Sequence, residues 1–363
     1  MPRACLGSQC RSGRPRCKLS RFTLQFRRPA HPGVLSGRAL SRNEKYAALV
    51  AAAGYLPWRC PGPYDCPQLG LWRLRRPMSF GLRAVCLYMT VLMEGISFGE
   101  SPRWHDGRVW FSDWGAHQVI ALDPQGGHEV VVSIPSFPMC IDFLPDGRLL
   151  VVDSAQRRLL RREPDGSMVT HADLAAISEK PWNDIVVDAR GNAYVNNIGF
   201  DFPGGEPAPG SVVLVTPEGV VRMVADELAF PNGMAITADG SALIVAESHG
   251  NRLTAYDIGQ HGDLANRRTW ADTGDDHPDG ICVDAEGAIW YADVGNRHCV
   301  RVRDGGEVLT TVELDRGAFA CTLSRGDPPQ LYVVGQEWGG PEPTEPTGQL
   351  VMFPAPAPGA GKP

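Results

Sequence analysis

Residues 277–293 read HPDGICVDAEGAIWYAD, and variants of this stretch recur along most of the chain. A short apolar strand, a polar turn that ends in glycine and a second apolar strand follow one another, which is typical of an antiparallel hairpin. Aligned on the turn glycine, the pattern returns at Gly107, Gly147, Gly191, Gly240 and Gly287, and more loosely at Gly326. Repeats of roughly 40 to 50 residues, each with about four short strands, predict the blades of a β-propeller.

The six repeats predict an all-β fold, a six-bladed β-propeller that occupies residues 89–354. A strand-like segment at 90–93 precedes the first repeat, and residues 349–353 supply only a third strand to the last one. We therefore expect residues 90–93 to complete the last blade. This strand exchange between the N- and C-terminal segments would close the ring and leave no exposed sheet edge.

The two ends of the chain differ from the repeats in composition. Residues 1–88 hold 16 Lys and Arg against two acidic residues, whereas residues 89–363 hold 19 against 39. The first segment is also rich in Pro, Gly and Cys, which predicts a disordered or spurious extension. A transit peptide or a basic nucleic-acid-binding tail are the alternatives. Residues 355–363 are almost all Pro, Ala and Gly and are expected to form a disordered tail.

Several classes of function are disfavoured by composition. The acidic balance of the repeat region argues against a nucleic-acid partner there, and the longest apolar stretch, at 47–56, is too short to cross a bilayer. The cysteines show no C-x-x-C pair, and four of them, in strand-like runs, are expected to be free thiols: Cys140, Cys282, Cys299 and Cys321. We expect a cytoplasmic protein with no membrane contact and no obligate protein partner.

One position of the repeat carries oxygen-bearing side chains. It lies at the start of each inner strand, seven or eight residues before the turn glycine. Since the inner strands of a propeller run along its central channel, equivalent side chains of successive blades point to the same place. Met139 and Ala318 are the small or apolar fillers that a purely structural position would carry. The remaining four residues should converge at the axis: Glu100, Asn183, Asn232 and Asp279.

Two carboxylates and two amides form an all-oxygen set, which suits one hard divalent cation such as Ca²⁺, Mg²⁺ or Mn²⁺. Zinc is a possible occupant, although it favours histidine and thiolate ligands. A single Asn or Asp before Gly is an ordinary turn residue. The shared register of four such residues is what predicts a cation site.

A cation with open coordination positions polarises a carbonyl group and lowers the pKa of a bound water, which is hydrolytic chemistry. Asp279 is the candidate general base as well as a ligand, or else it only holds the ion. Substrate contacts are expected from residues near the same rim as Asn183, with plain packing or solvation as the alternative for each: Trp182, Lys180 and His277. Residues that follow second strands are interpreted as turn residues: Asp113, Trp114, Asn196, Asn197, the segment 200–202, Glu337 and Trp338.

These motifs resemble those of the gluconolactonase and regucalcin (senescence-marker-protein-like) six-bladed propellers. The matching words stand in order: GESPRW at 99–104, ND at 183–184, PNGM at 231–234 and PDGICVD at 278–284. The resemblance covers residues 90–353. It implies that Glu100, Asn232 and Asp279 hold the divalent metal, that Asn183 contacts metal or substrate, and that Asp279 is the acid/base in opening a sugar lactone. Animal members carry an Arg that grips the sugar where this sequence has Pro181.

The leading hypothesis is a divalent-metal-dependent lactonase that opens a sugar lactone to the hydroxy acid. The first alternative is a non-catalytic calcium-binding propeller scaffold, because a fold alone does not fix a function. The second is a related metal-dependent hydrolase of aryl or phosphate esters, since the same cation polarises those groups.

Overall fold

The computed structural model describes residues 89–338 and 345–361, and residues 1–88 with their predicted extension lie outside this part of the chain. The described residues form 24 β-strands and two short 3₁₀ turns. The strands make six four-stranded antiparallel sheets, which confirms the predicted six-bladed propeller. Among the described residues, no helix has the length and apolar character needed to cross a membrane.

The first strand belongs to the last blade, and blades 1 to 3 follow it along the chain. The strands are β1 (Thr90–Ile96); in blade 1 β2 (Gly99–His105), β3 (Arg108–Asp113), β4 (Gln118–Leu122) and β5 (His128–Ser133); in blade 2 β6 (Ile141–Phe143), β7 (Leu149–Asp153), β8 (Arg158–Arg162) and β9 (Met168–Asp173); in blade 3 β10 (Trp182–Val187), β11 (Ala193–Asn197), β12 (Gly210–Val215) and β13 (Val221–Leu228).

The remaining strands form blades 4 to 6. They are, in blade 4, β14 (Pro231–Ile236), β15 (Ala242–Glu247), β16 (Arg252–Ile258) and β17 (Leu264–Asp272); in blade 5, β18 (Pro278–Val283), β19 (Ile289–Asp293), β20 (His298–Val302) and β21 (Val308–Glu313); in blade 6, β22 (Gly317–Leu323), β23 (Gln330–Gln336) and β24 (Gly348–Pro354), to which β1 adds the fourth strand.

The ring closes as predicted. Strand β1 pairs antiparallel with β24, with Thr90 opposite Met352 and Glu94 opposite Gln349. The Gln349 amide nitrogen also donates a hydrogen bond to the Glu94 carboxylate at 2.9 Å. The exchanged strand is longer than the predicted residues 90–93 and extends to Ile96, whose side chain is fully buried.

The turn glycines that define the repeat allow the hairpin between the first two strands of a blade. Five of them have φ between 69° and 85°, a left-handed conformation that favours glycine: Gly107, Gly147, Gly191, Gly240 and Gly287. In blade 6 the loop is longer, since β22 ends at Leu323 and β23 begins only at Gln330. This longer loop explains why the repeat around Gly326 matches only loosely.

A buried polar residue ends the second strand of every blade. These residues are Asp113, Asp153, Asn197, Glu247, Asp293 and Gln336. Three of them accept a hydrogen bond from a backbone N–H just ahead of an inner strand: Asp113 from Phe98 at 2.9 Å, Glu247 from Ala229 at 2.7 Å and Asp293 from His277 at 2.7 Å. These bonds fix the path by which the chain enters the inner strands and so position the residues at their start.

Glu247 has the most extensive set of partners in this group. It is fully buried and accepts hydrogen bonds from Arg252 at 2.8 Å, Arg267 at 3.1 Å and Thr254 at 2.5 Å. Burial raises the pKa of Glu247, but the hydrogen bonds from Arg252, Ala229 and Thr254 outweigh this effect. The pKa of Glu247 therefore lies below its ordinary value. The ionised carboxylate is therefore the stabilising form.

Glu247→Ala is expected to lower the free energy of unfolding by about 3 kcal/mol, because two arginines and a backbone N–H lose a buried partner. Denaturant unfolding at pH 7 measures the change, and Glu307→Ala, in an exposed pair with Arg303, should cost less than about 0.5 kcal/mol. Since the folded-state pKa is lowered, the advantage of wild type over Glu247→Gln should be complete above pH 4.5 and shrink as the pH falls below it. An equal cost for the two alanine variants would contradict this role.

The C-terminal segment differs from the predicted disordered tail over its described part. Gly359 forms a bridge with Asp284, and its N–H donates to the Ser324 carbonyl at 2.9 Å. Ala357 is buried, at 3% exposure. The small Pro, Ala and Gly residues of this segment let its backbone approach blades 5 and 6 closely. The composition from which disorder was predicted therefore allows the segment to pack against these blades.

The four cysteines of the strand region are free thiols, as predicted. Cys140, Cys299 and Cys321 are buried and Cys282 is partly exposed. Cys282 and Cys321 lie on the inner strands of neighbouring blades, with their sulfur atoms 3.7 Å apart.

Candidate active site at the axis of the propeller

The four residues predicted to converge occupy one equivalent position, the second residue of an inner strand. Glu100 is the second residue of β2, Asn183 of β10, Asn232 of β14 and Asp279 of β18. All four line a single cavity of about 390 Å³ at the axis. The structure therefore brings together side chains from blades 1, 3, 4 and 5. In blade 2 the equivalent Met139 is fully buried and does not line this cavity.

The glycines after Asn232 and Asp279 serve close packing at the axis and not a turn. A Cβ atom on Gly233 would lie 2.6 Å from the Asp279 carbonyl oxygen, and one on Gly280 would lie 2.2 Å from the Ala320 Cβ. Neither distance is possible for a real side chain. The Asn-Gly and Asp-Gly pairs therefore reflect inner strands that approach backbone to backbone, which holds Asn232 and Asp279 near each other.

Hydrogen bonds orient the two amides. The Asn183 amide nitrogen donates to Asn232 Oδ1 at 3.3 Å, and the Asn232 amide nitrogen lies 3.3 Å from Ser248 Oγ. Ser248 Oγ in turn donates to the Pro278 carbonyl at 2.8 Å. Ser248 thus connects Asn232 to the residue that precedes Asp279. Sequence reasoning did not identify Ser248, because nothing in the repeat register marks it.

The two carboxylates lie in surroundings that disfavour their charge. Burial, opposed by the Ser101 backbone N–H, raises the pKa of Glu100 to about 8, and the nearby Asp184 charge raises it as well. Burial and the Glu100 charge hold the pKa of Asp279 well above its usual range. Asp279 Oδ1 is buried and has no hydrogen-bond partner. A buried carboxylate oxygen without a partner is costly, so the site favours a positive charge at this point.

The donor set fits a divalent cation. Two carboxylates and two amides offer only oxygen ligands of the kind that Ca²⁺, Mg²⁺ and Mn²⁺ bind. No Lys or Arg is among the described residues that line the cavity, so none of them supplies the missing positive charge. Asp279 Oδ1, which is buried and has no hydrogen-bond partner, is the oxygen best suited to bind the cation.

Arg103 and Asp184 brace the strands that carry the site. An Arg103 guanidinium nitrogen donates to Asp184 Oδ1 at 2.8 Å and to the Ile185 carbonyl at 2.7 Å, which connects blade 1 to blade 3. Asp184 Oδ2 accepts from the Met234 N–H of blade 4 at 2.7 Å. Both residues border a small gap next to Glu100 and Asn232. They belong to the sequence words GESPRW and ND, yet only the structure shows that they pair with each other.

His277 lines the cavity, as its predicted role as a substrate contact requires. Its Nδ1 lies 2.9 Å from the Ser248 carbonyl oxygen. The Asn251 amide nitrogen also lies 3.3 Å from this Nδ1. Both contacts fall on Nδ1, which leaves Nε2 as the ring nitrogen available to a ligand.

Two of the predicted substrate contacts lie elsewhere. Trp182 is fully buried in the hydrophobic core, because adjacent residues of an extended strand point to opposite faces and Asn183 takes the axial direction. Lys180 is not among the lining residues, and its amino group pairs with Asp201 at 2.8 Å. The structure therefore does not place these two side chains in the described lining of the cavity, and their contact with substrate stays a prediction.

Aromatic residues that the sequence analysis assigned to turns line the cavity instead. Trp114 and Trp338 come shortly after the second strands of blades 1 and 6, and Phe202 follows that of blade 3. Their positions shortly after a second strand were visible in the sequence. Their direction was not, because loops lack the period that fixes side-chain direction in strands.

A second acidic group lies in blade 5 outside the cavity lining. Ligand atoms of Asp276, Asp293 and His298 lie within 4.8 Å of one another. Asp276 Oδ2 already accepts from Tyr291 at 2.7 Å and lies 2.9 Å from His298 Nε2. Asp293 accepts from the backbone N–H groups of His277 and Asn296. Because these carboxylates already have partners, the cluster differs from the axial site, where Asp279 Oδ1 has none.

Fold and site together define a six-bladed propeller with an acidic, oxygen-lined axial cavity. The model of the SMP-30/Gluconolactonase/LRE-like region matches residues 98–336. The chain belongs to this family, which confirms the resemblance noted in the sequence.

Individual relatives agree with this assignment. The chain is 27% identical over 252 residues to the pentonolactonase XacC of Haloferax volcanii, covering 67% of this chain and 78% of the relative. It is 27% identical over 257 residues to regucalcin of Xenopus laevis, covering 67% and 84%. The solved structure of a gluconolactonase from Xanthomonas campestris superposes with a TM-score of 0.62 at 23% identity, over 74% of this chain and 90% of that one.

Proposed function

We propose that this protein is a divalent-metal-dependent lactonase that hydrolyses a cyclic ester to its hydroxy acid. The observation that carries the proposal is the convergence of Glu100, Asn183, Asn232 and Asp279 on one cavity, with Asp279 Oδ1 unpartnered. The names of the relatives support the reaction class, since one is a pentonolactonase and another a gluconolactonase. A sugar lactone is the substrate that these names and the sequence resemblance predict.

Glu100, Asn183, Asn232 and Asp279 would hold the cation. When bound, a divalent cation polarises the lactone carbonyl and lowers the pKa of a water molecule. A Ca²⁺ ion would fit the all-oxygen ligands, and Mg²⁺, Mn²⁺ and Zn²⁺ are further candidates.

In the hydrolysis, the water oxygen forms a bond to the carbonyl carbon and the ring C–O bond breaks. Asp279 accepts the proton of the water as general base and returns it to the departing ring oxygen. The Asn183 and Asn232 amides are held by each other and by Ser248, so they need no reorganisation when substrate enters. His277 lines the same cavity, and its Nε2 hydrogen-bonds a polar group of the substrate or a water molecule.

The test is turnover of a panel of lactones, aryl esters and phosphate esters by protein first stripped with a chelator. Addition of Ca²⁺, Mg²⁺, Mn²⁺ or Zn²⁺ should restore lactone hydrolysis. Cation binding without hydrolysis of any lactone or ester would contradict the proposal and favour the calcium-binding scaffold. A preference for aryl or phosphate esters over every lactone would favour the third hypothesis.

A further inference from the structure

The wall of the axial cavity is predominantly apolar. Of its 19 described lining residues, eleven are apolar and seven of these are aromatic. The other eight are the four predicted ligands with Ser248, His249, His277 and Gly295. The apolar residues are Phe98, Trp114, Phe137, Pro138, Ile198, Phe202, Pro203, Phe230, Val294, Phe319 and Trp338.

The aromatic residues form two packed groups. In the first, Phe98 stacks on Trp114 with ring centroids 5.3 Å apart, and it meets the edge of Phe319 at 5.1 Å. Phe137 and Trp338 pack against this group, Phe137 on Trp114 at 5.2 Å and Trp338 on Phe319 at 5.5 Å. These contacts hold the rings in fixed orientations.

The second aromatic group faces the first across the ring. Phe230 packs against Phe202 at 5.1 Å and against His249 at 4.6 Å. These residues belong to blades 3 and 4, whereas the first group comes from blades 6, 1 and 2. Because blades 3 and 4 stand opposite blades 6 and 1 in a six-membered ring, a ligand in the cavity lies between two aromatic surfaces.

Three of these rings are left uncovered by the fold. Phe137, Phe202 and Trp338 are exposed by 40%, 42% and 39%. Among the described residues, they are the aromatic members of the exposed large hydrophobic side chains, and all three line this one cavity. Exposed aromatic area concentrated at a concave site gains free energy when an apolar ligand covers it.

The wall offers little to a polyhydroxylated ligand. No Lys or Arg is among its described residues, and Ser248 Oγ already donates to Pro278, so the polar side chains that the lining adds to the four predicted ligands and Ser248 are His249 and His277. Sugar hydroxyls placed against phenyl and indole rings would lose their bonds to water without replacement.

We propose that the substrate of this site carries an apolar alkyl or aryl group, which binds between the two aromatic groups while the ester carbonyl lies at the carboxylates. This inference rests on the proposed lactonase function and specifies its substrate class. The cavity volume of about 390 Å³ accommodates a medium-sized lactone with such a substituent. A polyhydroxylated sugar lactone is then a poor substrate.

The test compares kcat/KM for three lactones in the presence of the activating cation. The probes are δ-dodecalactone with an alkyl chain, dihydrocoumarin with an aryl ring, and D-glucono-1,5-lactone with four hydroxyl groups. The two apolar lactones should exceed the gluconolactone by about 100-fold or more, because unpaired hydroxyl groups oppose binding at an apolar wall. A higher kcat/KM for the gluconolactone would overturn the inference and leave the lactonase proposal standing.

Variants of the exposed rings localise the effect. Phe202→Ala and Trp338→Ala should each lower kcat/KM for δ-dodecalactone by about tenfold and change that for the gluconolactone by less than about twofold. Val308→Ala, at a residue that is 59% exposed on blade 5 and outside the cavity, is the matched control and should change neither. Equal losses on both lactones would overturn the inference.

If no lactone is hydrolysed with any cation, measurements of lactone binding separate the apolar-ligand inference from the lactonase proposal. In that case the lactonase function fails, and isothermal titration of dihydrocoumarin and gluconolactone decides the inference. Tighter binding of dihydrocoumarin, weakened by Phe202→Ala, supports an apolar ligand. Equal or tighter binding of the gluconolactone refutes it.

Discussion

Asp279→Asn is expected to lower kcat/KM for lactone hydrolysis by about 10³-fold or more, the largest effect of any single substitution in this protein. The change keeps the size of the side chain but removes its negative charge and its capacity to accept a proton. General-base catalysis alone contributes about 10²–10⁴-fold, and the unpartnered Oδ1 is also the atom best placed to bind a cation. Steady-state kinetics at saturating cation measure the loss.

Asp304→Asn is the matched control, since Asp304 is an exposed carboxylate that pairs with Arg268 on the outside of the ring. It should retain activity within about twofold. A thermal unfolding curve for Asp279→Asn, run beside wild type, separates loss of catalysis from loss of fold. Full activity in Asp279→Asn would remove this residue from the mechanism.

Glu100→Gln is expected to weaken divalent-cation binding by about 100-fold, because it removes one of the two formal charges of the donor set. The substitution should have opposite effects on stability with and without the ion. In a chelator, the variant should unfold at the higher temperature, since the unpaired buried carboxylate is gone. With cation at about 100 times the wild-type Kd, wild type gains about 2.7 kcal/mol and should become the more stable of the two.

Isothermal titration with Ca²⁺ or Mn²⁺ gives the affinities, and thermal unfolding with and without the cation gives the crossing of the two stabilities. Glu94→Gln is a control on the neighbouring strand β1, because Glu94 is exposed and hydrogen-bonded only to Gln349 among the contacts of the described residues. It should leave both quantities unchanged. Equal cation affinity in Glu100→Gln and wild type would show that Glu100 is not a ligand.

The residues at the base of the cavity could be predicted from the sequence because the repeat itself fixes their place. Each blade begins with an inner strand, so a register measured from the turn glycine locates Asn183, Asn232 and Asp279 at one height on the axis. Glu100 follows the same rule with a shift of one residue. Ring closure was predictable for the same reason, since a repeat that lacks one strand needs it from the other end of the chain.

The wall of the cavity could not be predicted in this way. Phe137, Phe202 and Trp338 lie in connections between strands, where length and direction vary from blade to blade. For Trp182 the sequence suggested a place in the cavity that the structure does not give it. Its neighbour Asn183 reaches the axis, whereas Trp182 packs into the hydrophobic core. Residues adjacent in sequence thus differ in role by strand alternation alone.

The bottom of the cavity, formed by the inner strands, and its aromatic wall, formed largely by loops, therefore differ in how freely they can vary. The inner strands hold the reactive groups in a geometry that Arg103 and Asp184 brace, while the loops that carry the aromatic rings can change without disturbing it. In the proposed enzyme, the residues of the inner strands would therefore set the reaction class, and the aromatic residues of the cavity wall would set the choice of substrate.

The central claim is that side chains of four blades hold one divalent cation on the axis of the ring. The most direct test is a crystal structure of protein grown with Mn²⁺, with data that include the anomalous signal of the metal. We expect one strong anomalous peak within about 2.0–2.4 Å of oxygen atoms of Glu100, Asn232 and Asp279, with Asn183 as ligand or neighbour. A peak only at Asp276, Asp293 and His298, or none in the axial cavity, would contradict the claim.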